Sequence, residues 1–292
     1  MKGPYPLNLH FQQSLAMFVH QKTDIHISEQ IIENGIWESY ETSILEKLLF
    51  PGATFIDVGA NIGYYSLIGA VLVGDNGRVV AFEPEQDNFA LLEKNLSFNH
   101  IKNVVAVNAG LSADQRQGKL YLNKENRGDH QIYQQTSSAA PRTEQAISLV
   151  AGNDFLSQQL FPPVRQIDVL KIDTQGAEFL VLSGLMPLLK ASLPRLKMII
   201  EFTPYSLKQA GASGMALLEL VNELELPMQL IDHLGRQLRP ISRLEMQQWI
   251  AQTDAAVGNE GFINLLVGHH CITVTSSRSA IWLGILFIFD IG

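Results

Sequence analysis

From residue 54 to residue 107 the apolar positions alternate between two periods. Short runs (TFIDV from Thr54, RVVAF from Arg78 and VVAV from Val104) are rich in β-branched and aromatic residues, and glycine, proline or asparagine bounds them. Such runs read as buried strands. Between them apolar residues recur at steps of three and four: Ile62, Tyr65, Ile68, Val71 and Leu72, then Phe89, Leu92 and Leu96. That spacing puts them on one face of a helix. The pattern predicts strand 54–58, helix 61–73, strand 78–83, helix 85–98 and strand 103–107. Strands alternating with helices predict a parallel sheet covered on both faces, joined by right-handed crossovers.

Upstream, Leu15 to Val19 and Asp24 to Ser28 read as short strands around a polar turn. Glu38 to Phe50 reads as an amphipathic helix stopped by Pro51-Gly52, and this whole segment is expected to cover one edge of the sheet. Tyr40 and Glu41 read as a solvated helix face or, as the alternative, as facing a ligand.

Residues 108–166 break the rhythm. Lys119 to Leu122 and Ala146 to Val150 read as strands, separated by the polar stretch 123–142. A connection this long is usually functional or disordered. It starts past the carboxyl edge of the sheet, where ligands bind in such folds, and is expected to be a lid facing the substrate. The alternation then resumes: strand 167–172, a helix through Leu189, strand 196–202, helix 213–225, strand 228–232, helix 243–252 and strand 262–267. Ala280 to Ile291 is almost wholly apolar and reads as a docking strand, an interfacial anchor or an extension. The expected organisation is an N-terminal segment 1–50, a main domain 51–267 and a tail 268–292.

Composition narrows the function. A hydrophobic content of 46% in 292 residues supports a sizeable core. The net charge of −8, with 21 Lys and Arg that do not cluster, argues against a nucleic-acid partner. A single cysteine, Cys271, excludes an intrachain disulfide and a cysteine zinc site, as expected of a cytoplasmic chain. No apolar h-region opens the sequence, and no apolar run reaches the roughly 20 residues that span a bilayer.

The chemistry concentrates at the ends of the predicted strands. Gly59 and Gly63 bracket a tight loop between strand and helix, with Asn61 between them, a residue that tolerates left-handed angles. Such a turn cradles nucleotide cofactors at a helix N-terminus. The spacing is not the G-x-G-x-x-G of dinucleotide sites, and a carboxylate at Asp57 would repel a pyrophosphate. It suits a ligand bearing an ammonium group, such as the methionine end of S-adenosylmethionine. Glu83 follows about 20 residues on, where an acidic residue meets a ribose diol, and Pro84 is expected to open the next helix. The alternative for Glu83 is a helix-terminal charge. Asn108, past the third strand, joins the candidate cofactor-binding set. Asp173, a candidate catalytic residue, ends the fourth strand of the core, beside the position expected for the sulfonium; its alternative is a loop-ordering or helix-capping carboxylate. His130, in the lid, is the candidate base, with a solvated loop histidine as its alternative. Asp173, Glu178 and Glu201 could supply oxygen ligands to Mg²⁺, while no His or Cys spacing suggests zinc.

Three segments, FIDVGANIGYYS, VVAFEPEQDNFALLEKNL and VLKIDTQGAEFLVLSG, together resemble the FkbM family of class I S-adenosylmethionine-dependent methyltransferases, across about residues 35–267. KID-x-x-G-x-E is the most specific part, and GDHQIY at 128–133 is also similar to a family segment. The resemblance implies a Rossmann-like α/β fold with a mostly parallel seven-stranded sheet and an inserted lid. It implies O-methylation of a hydroxyl on a sugar or natural product, a small-molecule partner. Gln175 stands where many members carry glutamate. A nitrogen- or polypeptide-directed methyltransferase, and a non-catalytic cofactor-binding module, remain the alternatives.

Overall fold

The computed structural model describes residues 2–11, 13–20, 24, 26–123, 126–134, 142–256 and 261–269. The chain opens with an antiparallel pair, β1 (Lys2–Pro6) and β2 (Ala16–Val19), followed by helices α1 (Ile27–Asn34) and α2 (Ser39–Leu48). The alternating core comes next: β3 (Thr54–Val58), α3 (Tyr64–Val73), β4 (Arg78–Phe82), α4 (Gln86–Phe98) and β5 (Val104–Val107). Three strands then form a sheet of their own: β6 (Gly110–Ser112), β7 (Arg116–Leu122) and β8 (Thr143–Ala151), in the order β6-β8-β7. A short turn α5 (Gly152–Asp154) runs into a π-helix (Phe155–Gln159). The second half holds β9 (Val169–Ile172), α6 (Glu178–Ser192), β10 (Lys197–Phe202), α7 (Pro204–Gln209) and α8 (Gly214–Asn222). It ends with β11 (Met228–Asp232), β12 (Gln237–Ile241), α9 (Arg243–Ala255) and β13 (Ile263–Val267).

The main sheet has eight strands in the order β12-β11-β13-β10-β9-β3-β4-β5. Pairs from β10 through β9, β3 and β4 to β5 are parallel, and β13 is antiparallel to both of its neighbours. This is the mostly parallel α/β sheet that was expected, with one strand more than the seven foreseen. The extra strand, β12, forms an antiparallel edge with β11 and carries Arg239 and Pro240. Those residues hide an edge strand from a hydrophobic-pattern reading.

Strand order reverses between β3 and β9, which opens a crevice at their carboxyl ends. Successive residues on these strands serve opposite faces. On β3, Ile56 and Val58 pack with α6, α8 and α9 on one face, whereas Phe55 packs with α2, α3 and α4 on the other. Asp57 lies on the same face as Phe55, and so points toward α3.

The first segment differs from its expectation. Asp24 begins no strand: its Oδ2 accepts the Ser28 N–H at 2.9 Å and the Ser28 hydroxyl at 2.7 Å, tying off the start of α1. Residue 25 lies outside the described residues. The hairpin is held by two asparagines on α4. Asn95 Oδ1 accepts Phe18 N–H at 2.7 Å and its Nδ2 donates to Phe18 O at 3.0 Å; Asn99 repeats the pair on Ala16 at 3.0 and 2.8 Å. Side-chain amides one helical turn apart thus imitate a strand edge. Glu85, rather than Pro84, opens α4, its carboxylate accepting the Asn88 N–H at 2.8 Å. The tail reading at 280–291 lies outside the described residues. Among those described, no helix is long and apolar enough to cross a membrane.

Candidate active site

The loop after β3 is built by close backbone approach. Gly59 has φ +83°, and a Cβ there would stand 1.9 Å from the Asp173 carbonyl oxygen, so no larger residue fits. Its N–H and that of Ala60 both donate to Phe82 O at 3.0 Å, fastening the loop to the end of β4. Asn61 takes φ +51°, and its N–H donates to Glu83 Oε2 at 2.8 Å. Glu83 Oε1 accepts the Glu85 N–H at 2.9 Å. Glu83 is therefore buried between two backbone donors, and burial pushes its carboxyl up to about 7 against their opposing effect. Its side chain lines a cavity together with Asn61 and Asn88. Asn108 is exposed and donates to the Glu83 and Pro84 carbonyls at 2.9 and 3.3 Å, so it braces the end of β4.

The lid segment closes this end of the cavity. Arg127 O accepts from Asn61 Nδ2 at 3.1 Å and Asn88 Nδ2 at 3.2 Å, and the Arg127 guanidinium pairs with Asp87 at 3.1 Å. His130 lines the cavity beside them. Its Nδ1 accepts the Asn123 N–H at 3.0 Å, which leaves the proton on Nε2. Nε2 is buried with no partner among the described residues. Burial, then the charges of Arg127 and Arg142, push the imidazole down to about 4, so the ring is neutral near pH 7. Held in this tautomer, His130 offers a proton and does not take one. Burial and the two arginines dominate its environment, with smaller effects from His20 and Asp24.

Asp173 stands at the other end. Its N–H donates to Val58 O at 3.0 Å, continuing the β3–β9 pairing, and its Oδ2 lies 3.2 Å from Lys171 Nζ. Lys171 is buried under the Tyr65 ring and also reaches Glu41 Oε1 at 3.5 Å. Burial alone would lower the Lys171 pKa; Asp173, Glu41, Glu38 and Asp57 overcome it and hold the ammonium well above its usual range. Gln175, at φ +52°, donates its amide to Asp173 Oδ1 at 3.1 Å and Glu201 Oε1 at 2.6 Å. A glutamate there would add a third carboxylate to that pair.

Two expected site residues have other duties. Asp57 is buried behind the loop, accepting the Ser66 hydroxyl at 2.6 Å, and is not among the residues lining the cavity. Burial raises its pKa to about 6. It lies on the α3 face of β3, where Ser66 engages it. Glu178 accepts the Thr174 and Gly176 N–H groups at 3.1 Å and the Thr174 hydroxyl at 2.9 Å, which closes the turn after β9. With its oxygens so engaged, Glu178 does not join Asp173 and Glu201 in a cation site. Pattern reading did not single out Glu38, which with Glu41 lies close enough to act on Lys171, and it read Glu41 as a solvated helix face or, alternatively, as facing a ligand. The usable signal was a glutamate on the apolar side of α2: Glu41 is 1% exposed.

Residues 57–233, more than half of the chain, match the family model described as the methyltransferase FkbM domain. Methyltransferase 1 of Beauveria bassiana is 25% identical over 152 residues, covering 47% of this chain and 60% of that protein. A Sulfurisphaera tokodaii protein named as a cobalt-precorrin-6B C(15)-methyltransferase (decarboxylating) is 37% identical over 59 residues, 20% of this chain and 31% of the relative. The match thus spans under two thirds of either relative's length. A solved precorrin-6y C5,15-methyltransferase from Geobacter metallireducens superposes with a TM-score of 0.43 at 11% identity, covering 86% of this chain and 92% of that one.

Proposed function

The chain belongs to the FkbM methyltransferase-domain family, and from that premise we propose that it is an S-adenosylmethionine-dependent methyltransferase acting on a hydroxyl of a sugar or natural-product acceptor. One observation carries the reading: Glu83 and Asp173, past the ends of β4 and β9 on either side of β3, line a single cavity with the Gly59 loop. The residues fit the cofactor. The Glu83 carboxylate has lone pairs left for a ribose diol, and the buried Nε2–H of His130 lacks the acceptor an adenosyl group would supply. When bound, the cofactor supplies a methyl group on a sulfonium.

The chain's own part is to align and deprotonate the acceptor. Holding the nucleophile in line can remove several kcal/mol of barrier. Asp173 is the residue for the acceptor proton, because Lys171 and Gln175 fix its two oxygens and its side chain is still 30% exposed. His130, with its proton on the cavity side, binds and orients. A nitrogen acceptor would not need the base, and a non-catalytic module would not need Asp173.

The test is labelled S-adenosylmethionine with a panel of hydroxylated, amino and polypeptide acceptors, and an RNA oligonucleotide as control. Label transfer to a hydroxyl is expected, and Asp173→Asn should lower kcat while sparing cofactor affinity. Transfer only to amines or RNA, or cofactor binding with no turnover on any acceptor, would overturn the reading.

A further inference from the structure

At the amino ends of the strands, on the edge of the sheet opposite the cofactor crevice, lies a second cavity of about 310 Å³. Its wall includes Thr54 at the start of β3, Arg78 at the start of β4, Pro162, Arg165 and Asp168 from the segment before β9, and Arg195 ahead of β10. Three arginines that stand far apart in the sequence therefore share one concave surface.

We propose that this cavity binds a phosphate dianion, free or at the end of a small phosphomonoester, through Arg78, Arg165 and Arg195. Charge is the first argument. Asp168 is the one carboxylate among the residues lining the cavity, and both of its oxygens are engaged. Its Oδ2 accepts the Thr54 N–H at 2.8 Å, and its Oδ1 lies 2.7 Å from Arg195 Nε. Three guanidinium groups against one carboxylate leave about two positive charges, which a phosphomonoester balances near pH 7. The whole chain carries −8, so this surplus of positive charge is local.

The second argument is how little else neutralises these cations. Elsewhere Arg116, Arg127 and Arg142 each pair with an aspartate. Arg165 makes no ion pair or side-chain hydrogen bond among the described residues. Arg78 has no carboxylate partner there either. Its Nη1 donates to Pro162 O, which fixes the guanidinium in the wall, and its Nη2 is buried without an acceptor among the described residues. Burial lowers the Arg78 pKa, and no carboxylate opposes it. A part-buried cation without a counter-ion is costly, and an anion in the cavity would offset that cost through its field, whichever N–H it meets. Arg195 meets Asp168 through Nε, the inner nitrogen of its fork, and half of its side chain is exposed. Guanidinium forks match phosphate oxygens in pairs. The volume stands at the low end of small-ligand sites, with room beyond the phosphate for the rest of an ester.

The experiment uses the full chain in phosphate-free buffer, titrated by calorimetry with inorganic phosphate and, separately, with glycerol 3-phosphate, with no cofactor or acceptor present. One equivalent of glycerol 3-phosphate should bind, more weakly as salt is raised. Arg165→Gln and Arg195→Gln should each weaken that binding by about tenfold or more. Arg165 holds no other group in the fold, so its variant keeps the test alive if Arg195→Gln, which deprives Asp168 of its partner, does not fold. Arg165→Gln should leave S-adenosylhomocysteine affinity unchanged, and Glu83→Gln should leave glycerol 3-phosphate affinity unchanged. Tighter binding of glycerol 3-phosphate than of inorganic phosphate would assign an ester, and equal affinity would assign the free ion. Failure of both to bind the wild type, wild-type affinity in Arg165→Gln, or a loss in Glu83→Gln that places the anion in the cofactor cavity would overturn the proposal. None of these outcomes touches the methyltransferase reading, which is judged by cofactor binding and label transfer.

Discussion

The two ends of the cavity are built from different materials. At the Glu83 end the donors are backbone N–H groups: Asn61 and Glu85 hold the carboxylate, and Phe82 O holds the loop. At the Asp173 end side chains do the holding. Lys171 stands among Glu38, Glu41, Asp57 and Asp173, and the Gln175 amide separates Asp173 from Glu201. Backbone donors arrive with the strand–loop–helix geometry and tolerate sequence change. A side-chain network holds only while each partner is present, because a buried charge without its counterpart is expensive. Under the function proposed above, the cofactor would take the backbone-held end and the acceptor the side-chain-held end.

The largest expected effect follows from that fragility. Lys171→Met strands the surrounding carboxylates and should cost about 3–5 kcal/mol of stability, read from the urea midpoint at neutral pH. A loss under about 1 kcal/mol would mean that the carboxylates are protonated in the native state, and the two ends would differ less than argued.

A smaller effect belongs to Glu83, whose carboxyl is raised from 4.5 to about 7. The folded chain binds this proton more tightly than the unfolded chain does. The group therefore favours folding fully below pH 4.5, and the contribution is lost as pH rises from there through about 7. That is roughly 3 kcal/mol across the window, and Glu83→Gln should flatten it. Glu83→Ala should also weaken S-adenosylhomocysteine binding by about 1.5–3 kcal/mol, or roughly 10- to 150-fold. An unchanged dissociation constant would reduce Glu83 to a brace for the loop.

His130 gives the smallest. Its imidazole is lowered from 6.5 to about 4, so it favours folding above pH 6.5 and that contribution fades as pH falls toward 4. His130→Gln keeps a donor and should lower kcat less than about tenfold, whereas losing a general base would cost about 10²–10⁴-fold. A drop of the larger size would return the proton-accepting role to His130.

Legibility followed the same division. The elements around the cofactor end were readable because apolar runs, glycine turns and helical spacing are local signals: β3 falls on its expected span, β4 ends one residue early, and α4 starts one residue late. Glu83 and Asp173 were legible because strand ends are fixed by the same local pattern. The Ser66 partner of Asp57 was not legible, since which face a strand residue serves depends on the helix packed against it. The Asp173 end was the least legible. Glu38, Glu41, Lys171, His233 and Asn264 meet only through sheet topology, and β13 reaches α2 across 223 residues between Glu41 and Asn264. Asp24 failed for a local reason: a capping carboxylate was taken for part of a strand.

The most direct measurement is calorimetric titration of the full chain with S-adenosylhomocysteine and, separately, with NAD. The Glu83-held loop predicts saturable binding of S-adenosylhomocysteine, weakened in Glu83→Ala, with NAD binding weaker or absent. Tighter binding of NAD than of S-adenosylhomocysteine would contradict the account.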